Sequence, residues 1–565
     1  MKRSTAWIIF SLCCVVFGVT FLVPLGMVIS GGFVEQGRFT LKYLAGVFQN
    51  PIYAEGLWNS LKIALGTTTL VALIAVPLAW IGNRYEFPGK KLVAGLILVP
   101  MILPPFVGAI GFQQMFGQYG AVNALFHLGP VDWLGKSRYF GVVALQALGL
   151  YPILYLNVAA ALANIDPAME EAAENLGCRG WRKFWKITLP LMMPGLFAGG
   201  TLVFIWSFTE LGTPLIMNYT RCAPVQVFDA LKEIGTNPFP YALVFVMLAT
   251  SCLLYFAGKL MFGGRAYAMQ SKAATVAAAE RAGWWAVVPF AAVIGLALLP
   301  HLGVVLTSVC EPGSWYRSVL PGTWTGANFA EALGHGMTVS SIRNSLLYST
   351  LAVGLNIVLG VTIAYVVVRS DLRVRGLLDG MAMLPLAVPG LVLAFGYLAI
   401  SSRLSNLEWV KASPLWQGLL DVRTNPTFFL VIAYAVRRLP YMVRAAVAGL
   451  QQTSVTLEEA AANLGASPLR TVWRVTLPLI AANLIAGVML AFSFSMLEVS
   501  DSLMLAQRAD YFPITKTIYE LFQLIGTGKY VAAALGVWAM AFLAVTIIGS
   551  SLILGKKMGQ LFRAG

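Results

Sequence analysis

Three carboxylates and two arginines sit inside stretches that are otherwise apolar. Glu210 lies in Ser207-Phe208-Thr209-Glu210-Leu211-Gly212, and Glu498 in Ser495-Met496-Leu497-Glu498-Val499-Ser500, with Asp501 just beyond. Oxygen ligands of this kind suit a hard cation. They equally suit helix capping or pairing with arginine, and the sequence leaves both readings open. The arginines are in Arg437-Arg438-Leu439-Pro440-Tyr441-Met442-Val443-Arg444, where Arg437, Tyr441 and Arg444 share one helical face. Such residues within apolar segments mark candidate pathways by default. Glu210, Glu498, Asp501, Arg437, Arg438 and Tyr441 are therefore the pathway candidates. An anionic cargo drawn to the arginines and a structural ion pair with Glu498 are the two alternatives for the basic pair.

These groups have to be positioned in a very apolar chain. Of its 565 residues, 58% are hydrophobic and 11% charged, and the mean hydropathy is +0.76. Spanning helices need about 20 apolar residues each, and the runs lack the alternation of a barrel. The fold class expected is an all-α polytopic membrane protein of about twelve spans. They fall near 7–30, 57–82, 92–116, 140–163, 191–212, 238–262, 283–308, 343–368, 378–402, 427–449, 481–505 and 530–555. The apolar run Trp7 to Ile29 exceeds a signal-peptide core and is read as a retained helix. The net charge of +15 would suggest nucleic acid in a soluble protein. Here the basic clusters fall in every second loop, the positive-inside pattern, which argues against nucleic acid and places both termini in the cytoplasm.

The chain contains itself twice. Asn59-Ser60-Leu61 matches Asn344-Ser345-Leu346, and Pro100, Pro104 and Gly111 match Pro385, Pro389 and Gly396, all offset by 285 residues. From Pro152 and Pro440 onward the offset is 288, so three residues are inserted in a loop placed outside. Two six-helix halves inserted the same way up imply a parallel pseudo-twofold axis along the membrane normal. The halves are 1–262 and 283–565, joined by a polar, Ala-rich linker at 263–282. The matched prolines Pro100, Pro104, Pro385 and Pro389 interrupt the third and ninth spans as candidate gate hinges or static bends.

The most specific repeat is polar. Glu170-Glu171-Ala172-Ala173-Glu174-Asn175-Leu176-Gly177 leads to Ile187-Thr188-Leu189-Pro190, and Glu458-Glu459-Ala460-Ala461-Ala462-Asn463-Leu464-Gly465 leads to Val475-Thr476-Leu477-Pro478. Asp166-Pro167 predicts a helix start, the early glutamates favour its N-terminus, and Gly177 predicts its end. This pattern, in loops 164–190 and 452–478, resembles the EAA loop of ABC importer permeases; Val475 is a mild departure. The whole chain is similar to fused two-half permeases of ferric-iron importers, and also to thiamine and aminoethylphosphonate permeases.

The resemblance implies a bacterial inner-membrane subunit working with two copies of a cytoplasmic ABC ATPase and a periplasmic substrate-binding protein. Glu171, Ala172, Ala173 and Gly177, with Glu459, Ala460, Ala461 and Gly465, would form the ATPase-coupling elements. ATP and Mg would be bound by the ATPase, with no cofactor in this chain. No phosphate-binding loop is present; Gly526-Thr527-Gly528-Lys529-Tyr530 lacks its spacing and hydroxyl. The chain is thus read as a transport subunit, not an enzyme, with ferric iron as the expected cargo. An ATP-independent secondary transporter is the less favoured class. His127, His301 and His335 are scattered, so no stable metal site is expected. Cys222 and Cys310 fall in outer loops, where a bridge is an open alternative.

Overall fold

A computed structural model describes residues 3–35, 37–102, 105–135, 137–262 and 280–554. Backbone polar groups in lipid must be paired within the segment, and helices do this. Strands among the described residues are confined to short pairs, Val34–Glu35 with Arg38–Phe39 and Tyr85–Glu86 with Glu280–Arg281. Nine described helices are long and apolar enough to cross a membrane, from Phe239–Gly258 with 20 residues to Pro51–Arg84 and Gly336–Arg369 with 34 each. Two bent pairs raise the number to eleven. The one expected span left, the tenth, near 427–449, is the helix Thr427–Gln452 of 26 residues. Arg437, Arg438 and Arg444 make it too charged to count on composition alone.

Each half is built on the same three-helix bundle. Tyr139–Ala163 packs against Pro51–Arg84 and Leu189–Thr209, and Thr427–Gln452 packs against Gly336–Arg369 and Leu477–Met496. Small residues at matched positions let the backbones approach. A Cβ on Gly199 would lie 2.8 Å from Leu154, and one on Gly487 2.8 Å from Ala445.

The bent pairs replace the expected third and ninth spans. Lys90–Met101 turns by 99° into Phe106–Leu125, and Arg375–Ala387 by 98° into Gly390–Leu404. These are near right angles, far beyond a proline kink within one helix. Pro100 lies in the last turn of the first limb of its pair, and Pro389 precedes the second limb in extended backbone at φ −60°, ψ 139°. Pro385 lies in the short helical turn before that corner. Pro104 lies outside the described residues, as do most of the linker and Lys556, Lys557 and Arg563.

The halves exchange their first helices. Ala6, Phe10 and Cys13 join a core otherwise made of second-half residues from Val361 to Leu484. Ala286, Phe290, Ile294 and Ala297 join a first-half core from Val71 to Val203. The sequence division at the linker is therefore not a division of contacts. Matched glycines seat each exchanged helix. A Cβ on Gly396 would lie 2.7 Å from the Pro24 carbonyl, and one on Gly111 2.0 Å from the Pro300 carbonyl. The Tyr397 hydroxyl donates to the Thr20 carbonyl at 2.6 Å. All six cysteines are free, which removes the Cys222–Cys310 bridge.

Backbone cannot yield as a side chain can, so Gly111→Ala or Gly396→Ala is expected to cost about 1–3 kcal/mol by overpacking. Gly200, with open space around it, is the control. Thermal unfolding in detergent should show both variants melting below Gly200→Ala; equal midpoints would contradict the seating role.

Candidate functional site

The duplicated loops fold alike because their sequences cap and stop alike. In the first, the Asp166 side chain accepts from the Ala168 N–H at 2.9 Å and Pro167 opens the helix Pro167–Asn175. In the second, Ser454 caps Val455–Asn463 by accepting from the Thr456 N–H at 3.3 Å. Both helices end at a glycine in left-handed backbone, Gly177 at φ 78° and Gly465 at φ 83°, where a side chain would be strained.

Glu171 and Glu459 are exposed, as are Ala172 and Ala460. Ala173 is buried and Ala461 half-buried. The neighbouring glutamates turn inward. Glu170 accepts from Thr188 Oγ1 at 3.0 Å and Lys183 Nζ at 3.3 Å. Glu458 accepts from Thr476 Oγ1 at 3.2 Å, Arg369 Nε at 3.2 Å and Tyr365 Oη at 3.1 Å. Lys183 also donates to Glu174 at 2.6 Å, and that contact holds the Glu174 carboxyl below its ordinary range.

Sequence reading missed the most exposed part of this surface. Leu176 is 87% exposed and Leu464 89%. Around them, Met169, Trp181 and Trp185 in one loop and Leu457, Leu469 and Trp473 in the other are also exposed. A leucine standing in water between charged residues gains about 1.5–3 kcal/mol when covered. The signal was available: an apolar residue precedes the stop glycine in both copies.

The pathway candidates come together where the halves meet. Two cavities of about 190 and 200 Å³ share Trp206, Glu210, Arg437, Arg438, Leu497 and Val499 in their walls. Pro385, Pro389, Tyr441 and Glu498 also line one, and Pro100 and Gln146 the other. Glu210 follows the last turn of Leu189–Thr209 and accepts from the Thr213 N–H at 3.0 and 2.9 Å, one to each oxygen. Gln146 donates to it at 3.3 Å.

The second half solves the same position differently. Glu498 takes Arg437 on one oxygen and Arg438 on the other, and Arg437 reaches the fully buried Asp501 at 3.4 Å. Arg438 also donates to the Phe494 carbonyl at 3.0 Å and lies over the Phe494 ring, 5.3 Å from its centre. The Tyr441 ring packs 5.4 Å from that of Phe494. Gly390 leaves room for Arg437, since a Cβ there would lie 2.0 Å from the guanidinium. The first half has Gly149 and Leu150 where the second has the two arginines.

Of the two readings left open, the structure has the ion pair. Binding of a cation by Glu498 would require that pair to break first. Among the described residues, no three His, Cys, Asp or Glu side chains converge as metal ligands.

Removing one partner of a buried pair leaves the other charge uncompensated. Glu498→Ala should therefore cost about 3–5 kcal/mol. Glu210→Ala, which loses a cap, should cost about 0.5–2 kcal/mol. Melting of the purified variants should preserve that order; the reverse order would contradict the pairing.

Comparison with known proteins agrees with this architecture. The family model described as "binding-protein-dependent transport system inner membrane component" matches residues 72–262 and again 356–555. A ferric transport system permease protein, FbpB, of Actinobacillus pleuropneumoniae is 26% identical over 81% of this chain and 64% of that protein. The chain thus spans somewhat less than two thirds of that relative's length. A second, named putative ferric transport system permease protein FbpB 1, of Haemophilus influenzae, is 26% identical over 88% of this chain and 78% of that protein. The molybdenum transport system permease protein ModB of Escherichia coli is 28% identical over 36% of this chain but 92% of its own length, the size of one half. With two matched copies covering most of its length, the chain belongs to the family of binding-protein-dependent transport system inner membrane components, the permeases of ABC importers.

Proposed function

We propose that this chain supplies both permease halves of an ATP-driven importer. Two copies of a separate cytoplasmic ATPase dock on loops 164–190 and 452–478, and a periplasmic binding protein delivers the cargo to the opposite end. The protein sits in a bacterial inner membrane with both termini in the cytoplasm, and performs no ATP chemistry of its own. One observation carries the reading: two equivalent loops present an exposed leucine beside an exposed glutamate, Leu176 with Glu171 and Leu464 with Glu459. An ATP-independent transporter has no use for a matched pair of such surfaces.

In this reading Leu176 and Leu464 fill clefts on the two ATPases, and Glu171 and Glu459 fix the register by polar contact. Ala172 and Ala460 let the partner approach closely. ATP-driven closure of the ATPase pair draws the loops together, and the cavities between the halves then open to the other side.

Ferric iron is the cargo we favour, because relatives aligned over most of the chain are ferric permeases. Arg437 and Arg438 at both cavities favour an anionic cargo as the second reading, such as a phosphonate or iron carried with its anion. Both guanidinium groups are paired with carboxylates, Glu498 and Asp501, so an anion would compete with those acids for them.

Leu176→Asp with Leu464→Asp should leave chain yield unchanged, since both side chains are exposed, and should abolish co-purification of the ATPase. Retained co-purification would refute the docking assignment. Cells expressing the chain with its partners should accumulate labelled iron in an ATP-dependent manner. Accumulation of labelled aminoethylphosphonate instead would move the cargo to the second reading.

A further inference from the structure

The docking helix is separated from span five, Leu189–Thr209, by a glycine turn and a short helical segment. A displacement applied to the docking helix would be absorbed there if the covalent chain were the only link, because glycine backbone is permissive. A second link bypasses the turn in both halves. Proline lacks an N–H, so Pro190 and Pro478 leave a carbonyl without its ordinary helical partner. The chain responds with one wide π turn before each proline: the Leu189 N–H bonds the Phe184 carbonyl, and the Leu477 N–H bonds the Val472 carbonyl. The same turn precedes Pro24.

Within these turns lie Thr188 and Thr476, 2% and 1% exposed. Their hydroxyls donate to the carboxylates of Glu170 and Glu458 on the docking helices, at 3.0 and 3.2 Å. A hydroxyl bonded to a carboxylate is charge-assisted, and the threonine end of each bond is buried.

We propose that Thr188–Glu170 and Thr476–Glu458 are the braces that carry motion of the docking loops into the membrane. Each brace ties its docking helix to the head of a helix whose far end lines the cavities: Leu189–Thr209 leads to Glu210, and Leu477–Met496 leads to Glu498. At about 1.5 Å per residue, a 21-residue helix carries a push roughly 30 Å with little loss. The threonines are positioning residues, and the proposal rests on the ATPase-docking reading above.

The test uses the chain with its partner ATPase in lipid nanodiscs, with native cysteines replaced by alanine. One nitroxide pair, at the exposed and matched Arg182 and Arg470, reports the approach of the loops. A second pair, at Phe126 and Ile525, reports the opposite end. With MgATP and vanadate, both distances should shift in the parent protein. In Thr188→Val with Thr476→Val, which keeps the shape and removes the hydroxyls, the loop pair should still close while the far pair loses most of its shift. Thr188→Ser with Thr476→Ser should restore it. A far pair that shifts fully in the valine variant overturns the proposal. So does loss of ATPase binding in that variant, which would make the bond a folding contact. If the parent binds no ATPase, or shows no loop closure, the docking reading itself fails and the braces fall with it.

Discussion

Two missing hydrogen atoms, those absent from the nitrogens of Pro190 and Pro478, set much of this architecture. Helix is the form that lets these segments satisfy their backbone in lipid, and proline at the head of span five cannot complete it. The wide turn that results sits at the boundary between the polar loop and the apolar span. It places a buried threonine against a glutamate of the loop helix, twice, 288 residues apart. A loop that would otherwise hang from the membrane is held to the helix that reaches the cavities.

Around this frame the halves are bound more closely than a fusion of two domains requires. Each lends its first helix to the other, and matched glycines, Gly111 and Gly396, let that helix lie against bare backbone. The exchange makes the halves one body, in which relative motion has to pass through the seam they share. That seam is where duplication gives way to difference. Glu210 is satisfied by backbone and Gln146, Glu498 by two arginines. They are acids at equivalent positions, Glu498 buried and Glu210 half-buried, and the second half holds its acid with charge because Arg437 and Arg438 stand where the first half has Gly149 and Leu150. The cavity walls are therefore asymmetric in charge while the two polar loops are alike.

The sequence shows which segments are equivalent, and does so well. The all-α class, the duplication and the paired loops follow from composition, offsets and capping residues, and the left-handed glycines at 177 and 465 stand where a helix stop was expected. Self-similarity does not say which half a helix packs against, so the exchanged first helices were invisible. The near-right-angle corners at Pro100 and Pro389 were read as kinks, since a proline signals interruption but not its angle. Arg437 and Arg438 announced a polar feature, yet only geometry could choose between an open ligand site and an ion pair. The exposed leucines were overlooked for the opposite reason: each precedes a stop glycine in a polar repeat, but in so apolar a chain one more leucine draws no notice.

If two loops drive the cavities through braced helices, a structure of the permease bound to its ATPase, with and without trapped nucleotide, will have Leu176 and Leu464 buried in the ATPase clefts in both states. The Thr188–Glu170 and Thr476–Glu458 bonds will be intact in both. The separation of Glu210 from Glu498 will change between the states. Docking through other residues, or a pathway that opens while these bonds break, would contradict a drive through braced helices.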